Sequence, residues 1–434
     1  MRILVVFAAL ILVLALPFAL KPKENLLAKA DDTVVIITPH NEQIRYEFSH
    51  AFSASYKKAT GRSVRIDWRV PGGTSEIAKY LKGEFFAAFE YFWKTEGHRW
   101  DAAAANTFDK SGANSPARQG FLASNVGIGI DLFFGGGAYD FIQQAEAGRL
   151  VDCGLLTKRP EWFTEATIPH IVSGEVYYDE GGRWIGAVLS SFGICYNSDS
   201  LRRLGVKEIP ASWSDLCNPL FRKQVALADP TKSGSAAKAF EMIIQQKMQE
   251  VVRSHPEAPV DSLLPEGWLQ GLQVIQHASA NARYFTDAAP KVPIDVSLGD
   301  AAIGMCIDFY GRYQSEAVQV GDTPSRIQYF TPVGGSSVGV DPIGLLRGAP
   351  NRKAAVAFME FVLSEEGQKL WNFKVGAPGG PVKYALRRLP IRKELYAPEF
   401  AAYRSDPTVF PYEDAKLFTY HPKWTGSLFK TMSF

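Results

Sequence analysis

Hydrophobic positions along the chain alternate between the spacing of buried strands and that of amphipathic helices. The β-branched run Thr33–Ile37 predicts a first strand, and Phe48, Phe52 and Tyr56 at every fourth position predict a following helix. The apolar segment Ile128–Phe134 repeats the strand pattern, and another helical pattern follows it. Strands that alternate with helices of this length are typical of parallel sheets covered on both faces. We therefore predict an α/β fold.

One segment departs from this alternation. Residues 85–125 begin with the aromatic-rich stretch Phe85–Trp93 and continue through the small, polar and turn-prone stretch Ala102–Arg118. We interpret 85–125 as an insertion on the surface. The chain has 434 residues, a length that predicts about two to three domains.

Small residues are concentrated in turns that lead from predicted strands into predicted helices. In open α/β sheets the ligand lies beyond the carboxyl ends of the strands, where such turns occur. The richest turns are Gly72–Ser75, Gly135–Gly137 and Ser233–Ser235. The last would let unpaired N–H groups at a helix N-terminus, with two hydroxyls, reach an anion. Helix capping and tight turning are the alternative interpretations.

Polar side chains next to other predicted strands are further candidates for a site. His40 follows the first strand, Asp308 follows a later one with Tyr310 close to it, and Asp287 lies near a predicted crossing between lobes. Two carboxylates in a cleft could bind a metal, ligand hydroxyls or a ligand amine. Caps and hinge hydrogen bonds are the alternative for each acid.

Motifs of catalysis are poorly represented in the sequence. Ser235 and Lys238 have the S-x-x-K spacing of penicillin-binding acyl-transfer enzymes, but the Lys-Thr-Gly strand of those enzymes is missing. The sequence also contains neither HExxH nor GxSxG nor a Walker loop. We therefore expect no enzyme. An exported hydrolase or transferase is the alternative from another class, and would need a nucleophile and a base in the cleft.

Composition and charge indicate a packed protein without affinity for nucleic acid. Hydrophobic residues make up 46% and charged residues 21% of the chain, as in ordinary globular proteins. The net charge of +2 comes from the first 30 residues, because the remainder has 43 basic and 44 acidic residues. No basic field therefore remains to bind nucleic acid.

The first 30 residues have the pattern of an export signal. Arg2 precedes the apolar run Ile3–Leu20, and Ala28–Ala30 offers a small-x-small cleavage site. An uncleaved membrane anchor is the alternative, because the run is long and ends ten residues before that site. Both interpretations place the rest of the chain in the periplasm. Four cysteines without CxxC spacing allow either disulfides or buried thiols.

The order of motifs resembles the extracellular solute-binding proteins of ABC importers, in the group of ferric-ion, thiamine and phospho-compound receptors. The resemblance covers roughly residues 33–380. It rests on Asp131–Gly137, Ala147–Leu150, Gly193–Asn197, Pro210–Leu216, Ala228–Pro230, Ser233–Ser235, Gly348–Asn351 and Phe358–Gly367.

This resemblance implies a type II periplasmic-binding fold, with two lobes of mixed, mainly parallel sheet and a ligand cleft between them. We expect residues 31–192 and 326–385 to form the first lobe, with 85–125 as its insertion. Residues 193–325 and 386–434 would then form the second lobe. The resemblance also implies a monomeric receptor that delivers its solute to a membrane permease and carries no cofactor.

Ferric members of the family are similar to this chain at His40. They also carry an acidic ligand near the Gly135 turn and two adjacent tyrosines near Tyr310, but here that turn has no Glu and Gly311 follows Tyr310. The anion-binding helix start of the family matches the turn at 233–235. We therefore expect a phosphorylated or carboxylated organic solute. Its expected contacts are His40, Gly73, Thr74, Gly136, Gly137, Ser233, Gly234, Ser235, Asp287, Asp308 and Tyr310. Ferric iron, bound as transported ligand by His40, Tyr310 and Tyr313, is one alternative, and thiamine or its phosphate is another.

Overall fold

The computed structural model describes residues 30–321 and 323–426. The predicted signal or anchor at 1–30 lies almost wholly outside the described residues. The strands are β1 Asp32–Ile37, β2 Val64–Arg69, β3 Leu132–Phe134, β4 Leu150–Val151, β5 Ile171–Val172, β6 Glu175–Val176, β7 Trp184–Ser190, β8 Phe192–Asn197, β9 Val225–Ala228, β10 Ala282–Thr286, β11 Ile303–Ile307, β12 Ile327–Phe330, β13 Gly339–Leu346 and β14 Leu389–Pro390.

The α-helices fill the intervals between the strands and cover the sheets. They are α1 Glu42–Thr60, α2 Thr74–Thr95, α3 Ala102–Thr107, α4 Pro116–Ala123, α5 Ala138–Glu146, α6 Leu155–Lys158, α7 Ser198–Arg203, α8 Gly234–Ser254, α9 Val260–Ala280, α10 Lys291–Leu298, α11 Asp308–Ala317, α12 Arg352–Leu363, α13 Glu365–Asn372, α14 Pro411–Asp414 and α15 Pro422–Thr425. Short 3-10 turns lie at Pro160–Trp162, Trp213–Cys217, Pro219–Phe221, Lys393–Tyr396, Pro398–Phe400 and Ala415–Leu417.

Local signals set the helix boundaries that matter for the fold. Helix α1 begins where the Asn41 side chain accepts a hydrogen bond from the Ile44 N–H at 3.1 Å, which satisfies one of the first-turn N–H groups. The helix ends at Gly61, whose φ of 73° lies in the left-handed region that glycine enters without strain. Its apolar positions then face the first sheet, as the spacing of Phe48 and Phe52 predicts.

Two large sheets organise the described chain, and β5 and β6 form a separate 2-stranded sheet. The 7-stranded sheet has the order β14-β7-β13-β3-β1-β2, with β4 beside β13, and the 5-stranded sheet has the order β10-β9-β11-β8-β12. Parallel pairing is confined to β2-β1-β3 and β10-β9-β11, and the other pairs are antiparallel. The sheets are therefore mixed, and less parallel than expected. The chain passes from one sheet to the other between β7 and β8 and again between β12 and β13, and these four strands make antiparallel pairs.

Residues 30–190 and 338–415 form the first lobe, and residues 191–337 and 416–426 form the second lobe. Each lobe packs on its own sheet and has its own hydrophobic core. This division differs from the expected one at two places. Strand β12 pairs with β8 in the second sheet, although 326–385 was expected in the first lobe. Strand β14 pairs with β7, so the tail from 386 to about 415 packs on the first lobe and only its last residues reach the second.

Residues 85–125 are more than a surface insertion. The side chains of Phe85 and Phe89 lie one turn apart on α2 and are fully buried, together with Phe108 and Phe121. Phe89 stacks on Phe108 with ring centroids 5.2 Å apart. The segment after Phe89 therefore folds into the short helices α3 and α4, and the rings of Phe108 and Phe121 pack into the first-lobe core.

All four cysteines are unpaired thiols. Cys153, Cys195 and Cys306 are buried, and Cys217 is partly exposed. Burial raises the pKa of the Cys306 thiol well above its ordinary range. Among the described residues, no helix is both long enough and apolar enough to cross a membrane.

Candidate ligand cleft

Three helix N-termini meet at the junction of the lobes. Helices α2 and α5 of the first lobe begin after Gly73 and Gly137, and α8 of the second lobe begins after Ser233. A Cβ added to Gly73 would lie 3.8 Å from the carbonyl oxygen of Lys232, and one added to Gly136 would lie 2.6 Å from Thr74 Cγ2. The structure therefore brings together the three small-residue turns of the sequence.

Backbone geometry explains why these turns contain glycine. Gly136 has φ 114° and Gly135 has φ 88°, values that side chains with a Cβ rarely adopt. A Cβ at Gly135 would also lie 2.4 Å from His40 Nε2. The glycines thus allow the α5 turn to approach both His40 and the start of α2.

Helix starts of this kind favour negative charge. The first-turn N–H groups have no partner within the helix, and the helix dipole adds positive potential there. At α8, the Ser233 hydroxyl accepts from the Ala236 N–H at 3.3 Å, while Gly73 and Gly137 bring no capping side chain to α2 and α5. The arrangement can therefore hold an anion by backbone N–H groups from both lobes.

His40 lies buried at the inner side of this cleft. Its backbone N–H donates to Thr38 Oγ1 at 3.1 Å, and the Thr38 hydroxyl donates to the Phe134 carbonyl at 2.7 Å. The pKa of His40 lies well below its ordinary value, first because burial disfavours the charged ring and then because Arg388 and Arg45 are positively charged. The imidazole is therefore neutral at physiological pH.

Arg388 is the residue that the sequence analysis missed at this site. Its Nη1 lies 3.3 Å from His40 Nε2, and its Nη2 donates to Ser190 Oγ at 2.7 Å and pairs with Asp341. The guanidinium lies 4.2 Å from the ring centroid of Phe309 in the second lobe. Burial raises the pKa of Asp341, against the opposing effect of Arg388. A single Arg in the tail carries no motif, so no local signal indicates this position.

Asp308 does not have the role expected from the sequence. Its Oδ1 accepts from the Phe309 N–H at 2.7 Å, and its Oδ2 lies 2.5 Å from Arg312 Nη2. The side chain is fully buried, and both of its oxygens are bound by groups of α11 itself. Asp287 is instead 81% exposed and pairs with Lys232 Nζ at 3.0 Å, beside the α8 turn. The structure thus places the two acids in different settings.

The two tyrosines proposed as iron ligands lie in different environments. Tyr310 follows Phe309 on α11, and burial raises its pKa to about 12, against the opposing charge of Arg388. Tyr313, 38% exposed, lies one turn further along that helix. Within the described ranges, no group of three or more His, Cys, Asp or Glu residues could hold a metal ion.

Lys238, the lysine of the S-x-x-K spacing, lies in a buried ion cluster. Its Nζ is 3.1 Å from Glu175 Oε1 and 3.0 Å from Glu241 Oε2, and 3.5 Å from the ring centroid of Tyr420. Burial alone would lower the pKa of Lys238, but the two carboxylates raise it. The lysine therefore stays charged, and cannot serve Ser235 as a base.

A groove of about 460 Å³ lies elsewhere, between β5 and the tail. Its cations already have partners, since Lys393 Nζ donates to the Glu165 carbonyl at 2.6 Å and Lys416 pairs with Glu413 at 2.6 Å. We assign the candidate site to the cleft because the helix N-termini and the buried polar groups lie there.

This two-lobed arrangement is that of type II periplasmic binding proteins, and solved structures of that class resemble it. The sequence matches the family described as bacterial extracellular solute-binding protein over residues 128–405, more than half of the 434 residues. The chain belongs to this family, which confirms the resemblance noted in the sequence.

Individual relatives are distant. A protein of Haemophilus influenzae, named only as uncharacterized, is 26% identical over 245 residues, or 55% of this chain and 60% of the relative. The periplasmic binding protein AfuA from Actinobacillus pleuropneumoniae, solved with fructose 6-phosphate, superposes with a TM-score of 0.53 at 15% identity, over 78% of this chain and 82% of AfuA. Iron-bound HitA from Pseudomonas aeruginosa superposes with a TM-score of 0.52 at 17% identity, over 92% and 98%. Identities this low show the fold alone.

Proposed function

We propose that this chain is the solute-binding receptor of a bacterial ABC importer and captures a small phosphorylated or carboxylated organic solute in the periplasm. The supporting observation is the meeting of the α2, α5 and α8 N-termini across the cleft. An anion at one helix N-terminus gains about 0.3–1 kcal/mol when exposed and up to about 2 kcal/mol when partly buried. Termini from both lobes would favour closure around the solute, which the receptor then presents to a membrane permease.

Organic groups of the solute would contact the remaining candidates. Thr74 and Ser235 offer hydroxyls at these turns, Tyr310 on α11 is a further candidate, and the exposed Asp287 pairs with Lys232 beside the α8 turn. Asp308 does not contact the solute directly in this proposal, because its two carboxylate oxygens already bind Arg312 and the Phe309 N–H. The phosphate ester bound by AfuA has the chemistry that we propose for the solute.

Ferric iron is the second candidate, and HitA supports it as an iron-bound protein of the same fold. The position of His40 favours it less, since the nitrogen Nε2 faces a guanidinium at 3.3 Å. The phosphate of a thiamine phosphate could also bind at these helix N-termini. The same experiment therefore has to distinguish all three kinds of ligand.

A thermal-shift screen of protein freed of bound solute by unfolding and refolding tests the proposal. The panel is sugar phosphates, small carboxylates, thiamine and its phosphates, and ferric salts with and without phosphate. A ligand at about a thousand times its dissociation constant adds roughly 4 kcal/mol. A response to phosphorylated or carboxylated compounds supports the anion assignment. A response to ferric salts alone contradicts it.

Serine variants then locate the site. Ser233→Ala and Ser115→Ala both remove an N-cap hydroxyl, at α8 in the cleft and at α4 away from it. Each should lower stability by about 0.5–2 kcal/mol, but only Ser233→Ala should weaken binding of the compound found in the screen. Equal affinity in both variants would remove the α8 turn from the site.

A further inference from the structure

Arg388 joins groups from both lobes at the inner side of the cleft. Its partners His40, Ser190 and Asp341 belong to the first lobe, whereas Phe309 belongs to the second. The side chain of Arg388 is 0% exposed. Packing therefore fixes its position between the lobes.

The chemistry of this contact determines the protonation of the imidazole. A guanidinium is always charged and can only donate hydrogen bonds, so His40 Nε2 must accept from Arg388 Nη1. In a neutral imidazole one nitrogen accepts and the other carries the hydrogen. The hydrogen of His40 therefore resides on Nδ1, the tautomer that the contact with Arg388 selects.

Two donors of this pair lack acceptors. His40 Nδ1 and Arg388 Nε are both buried, and neither has a hydrogen-bond partner among the described residues. The Nε atoms of four other buried arginines, Arg149, Arg312, Arg392 and Arg404, share this state, so His40 Nδ1 is the distinctive donor of the pair. Buried donors without a partner are rare and unfavourable in folded proteins. An acceptor supplied by a solute would remove this deficit, and an anionic oxygen is the strongest acceptor available.

The same geometry disfavours a metal ion. A metal binds the unprotonated nitrogen of a neutral imidazole, and at His40 that nitrogen is Nε2, which faces Arg388. Nδ1 carries the hydrogen, and the positive guanidinium lies directly beside Nε2, while its counterion Asp341 is bound at Nη2. His40 thus has the position expected of a metal ligand but not the free lone pair.

We propose that the Arg388–His40 pair determines the charge specificity of the cleft, withholding the imidazole from metal ions and selecting anionic solutes. This inference rests on the proposed function and adds the residue that discriminates between its two candidate ligands. Asp341 and Ser190 are positioning residues, because they hold the guanidinium toward His40.

The tautomer of His40 is the first test. Long-range ¹⁵N–¹H NMR of the solute-free protein at pH 7.5 distinguishes the two tautomers and the imidazolium, and the spectrum of His40→Gln assigns the signal. We expect hydrogen on Nδ1 and an unprotonated Nε2. Hydrogen on Nε2, or on both nitrogens, would overturn the inference, and this result does not depend on finding a solute.

Binding by matched variants is the second test. Arg388→Met with Asp341→Asn removes both members of the buried ion pair, so that no unpaired carboxylate remains. Arg404→Met is the control, because Arg404 is 1% exposed in the same tail but donates to backbone carbonyls away from His40. Circular dichroism and the unfolding midpoint establish that both variants fold.

The probes are inorganic phosphate and ferric nitrilotriacetate. We expect Arg388→Met/Asp341→Asn to bind phosphate about tenfold or more weakly than Arg404→Met, and the wild type to show no phenolate–iron absorption. Equal phosphate affinity in the two variants, or stoichiometric iron uptake by the wild type, would contradict the pair's role. If the wild type binds no anion in the screen, the proposed solute class is wrong, while the tautomer and the iron titration still decide the role of Arg388.

Discussion

The buried cluster around Lys238 allows a quantitative test of how the lobes are held together. Lys238 and Glu241 belong to α8 in the second lobe, whereas Glu175 belongs to β6 in the first. The Glu241 side chain is 0% exposed and that of Glu175 9%. Replacing Lys238 by Met therefore leaves two enclosed carboxylates without their cation.

The magnitude follows from that enclosure. Breaking a buried ion pair by removing one partner costs about 3–5 kcal/mol. Because 19% of the Lys238 side chain is exposed, we expect the lower end, about 3 kcal/mol. With an unfolding entropy of about 2 cal/mol/K per residue, a chain of this length should lose about 3.5 °C in its midpoint.

Lys247→Met is a closely matched control. Lys247 lies on the same helix, is also 19% exposed, and pairs with Glu250 at i,i+3, but that carboxylate is 38% exposed. A surface pair of this kind contributes about 0–1 kcal/mol. Thermal and urea unfolding of both variants, with and without Glu175→Gln, give the coupling energy.

Glu175→Gln should destabilise the wild type but be neutral or stabilising when Lys238 is already Met, because it then removes an unpaired charge. The reasoning is refuted if Lys238→Met lowers the midpoint no more than Lys247→Met does. It is also refuted if Glu175→Gln has the same effect in both backgrounds.

Three further predictions concern single sites. The depressed pKa of His40 contributes stability that is present above about pH 6.5 and is lost as the pH falls, because only the unfolded chain takes up the proton. His40→Asn should flatten the pH dependence of urea stability between pH 6.5 and 5 by up to about 1.4 kcal/mol per pH unit, and an unchanged slope would contradict the assignment. Glu47 accepts backbone hydrogen bonds from residues 382–384 at 2.7–2.8 Å, so Glu47→Ala should speed proteolysis of the tail, whereas equal cleavage rates would show that other contacts hold it. In native protein a thiol reagent should modify Cys217 first, and labelling of a second cysteine at the same rate would contradict the burial order.

Repeating local patterns made the architecture predictable. The strand Thr33–Ile37 and the helix that carries Phe48 and Phe52 appear nearly as the hydrophobic spacing indicates. The small-residue turns were also predictable, since each links a strand to a helix start, and parallel strands bring such turns to one edge. This holds for the turns after β2 and β3 of the first sheet, whereas the turn after β9 belongs to the second sheet, so its approach to them depends on how the lobes pack.

Long-range contacts explain what the sequence did not show. Arg388 bonds to partners 348, 198 and 47 residues away, so no window of local sequence contains the site. Strand β14 has only two residues, too few for an alternating pattern, and its pairing with β7 places the tail on the first lobe. Asp308 has the position expected of a ligand contact, but the i,i+4 arginine Arg312 neutralises it.

The close approach of Gly73 to the Lys232 carbonyl has a kinetic consequence. A Cβ added to Gly73 would come within 3.8 Å of that carbonyl, so little space separates the turns of the two lobes, and we expect a solute held behind them to leave when the lobes separate there. Its residence time should then follow the opening rate of this gate rather than the sum of its own hydrogen bonds. Solutes of different affinity would accordingly differ mainly in how strongly they slow the opening.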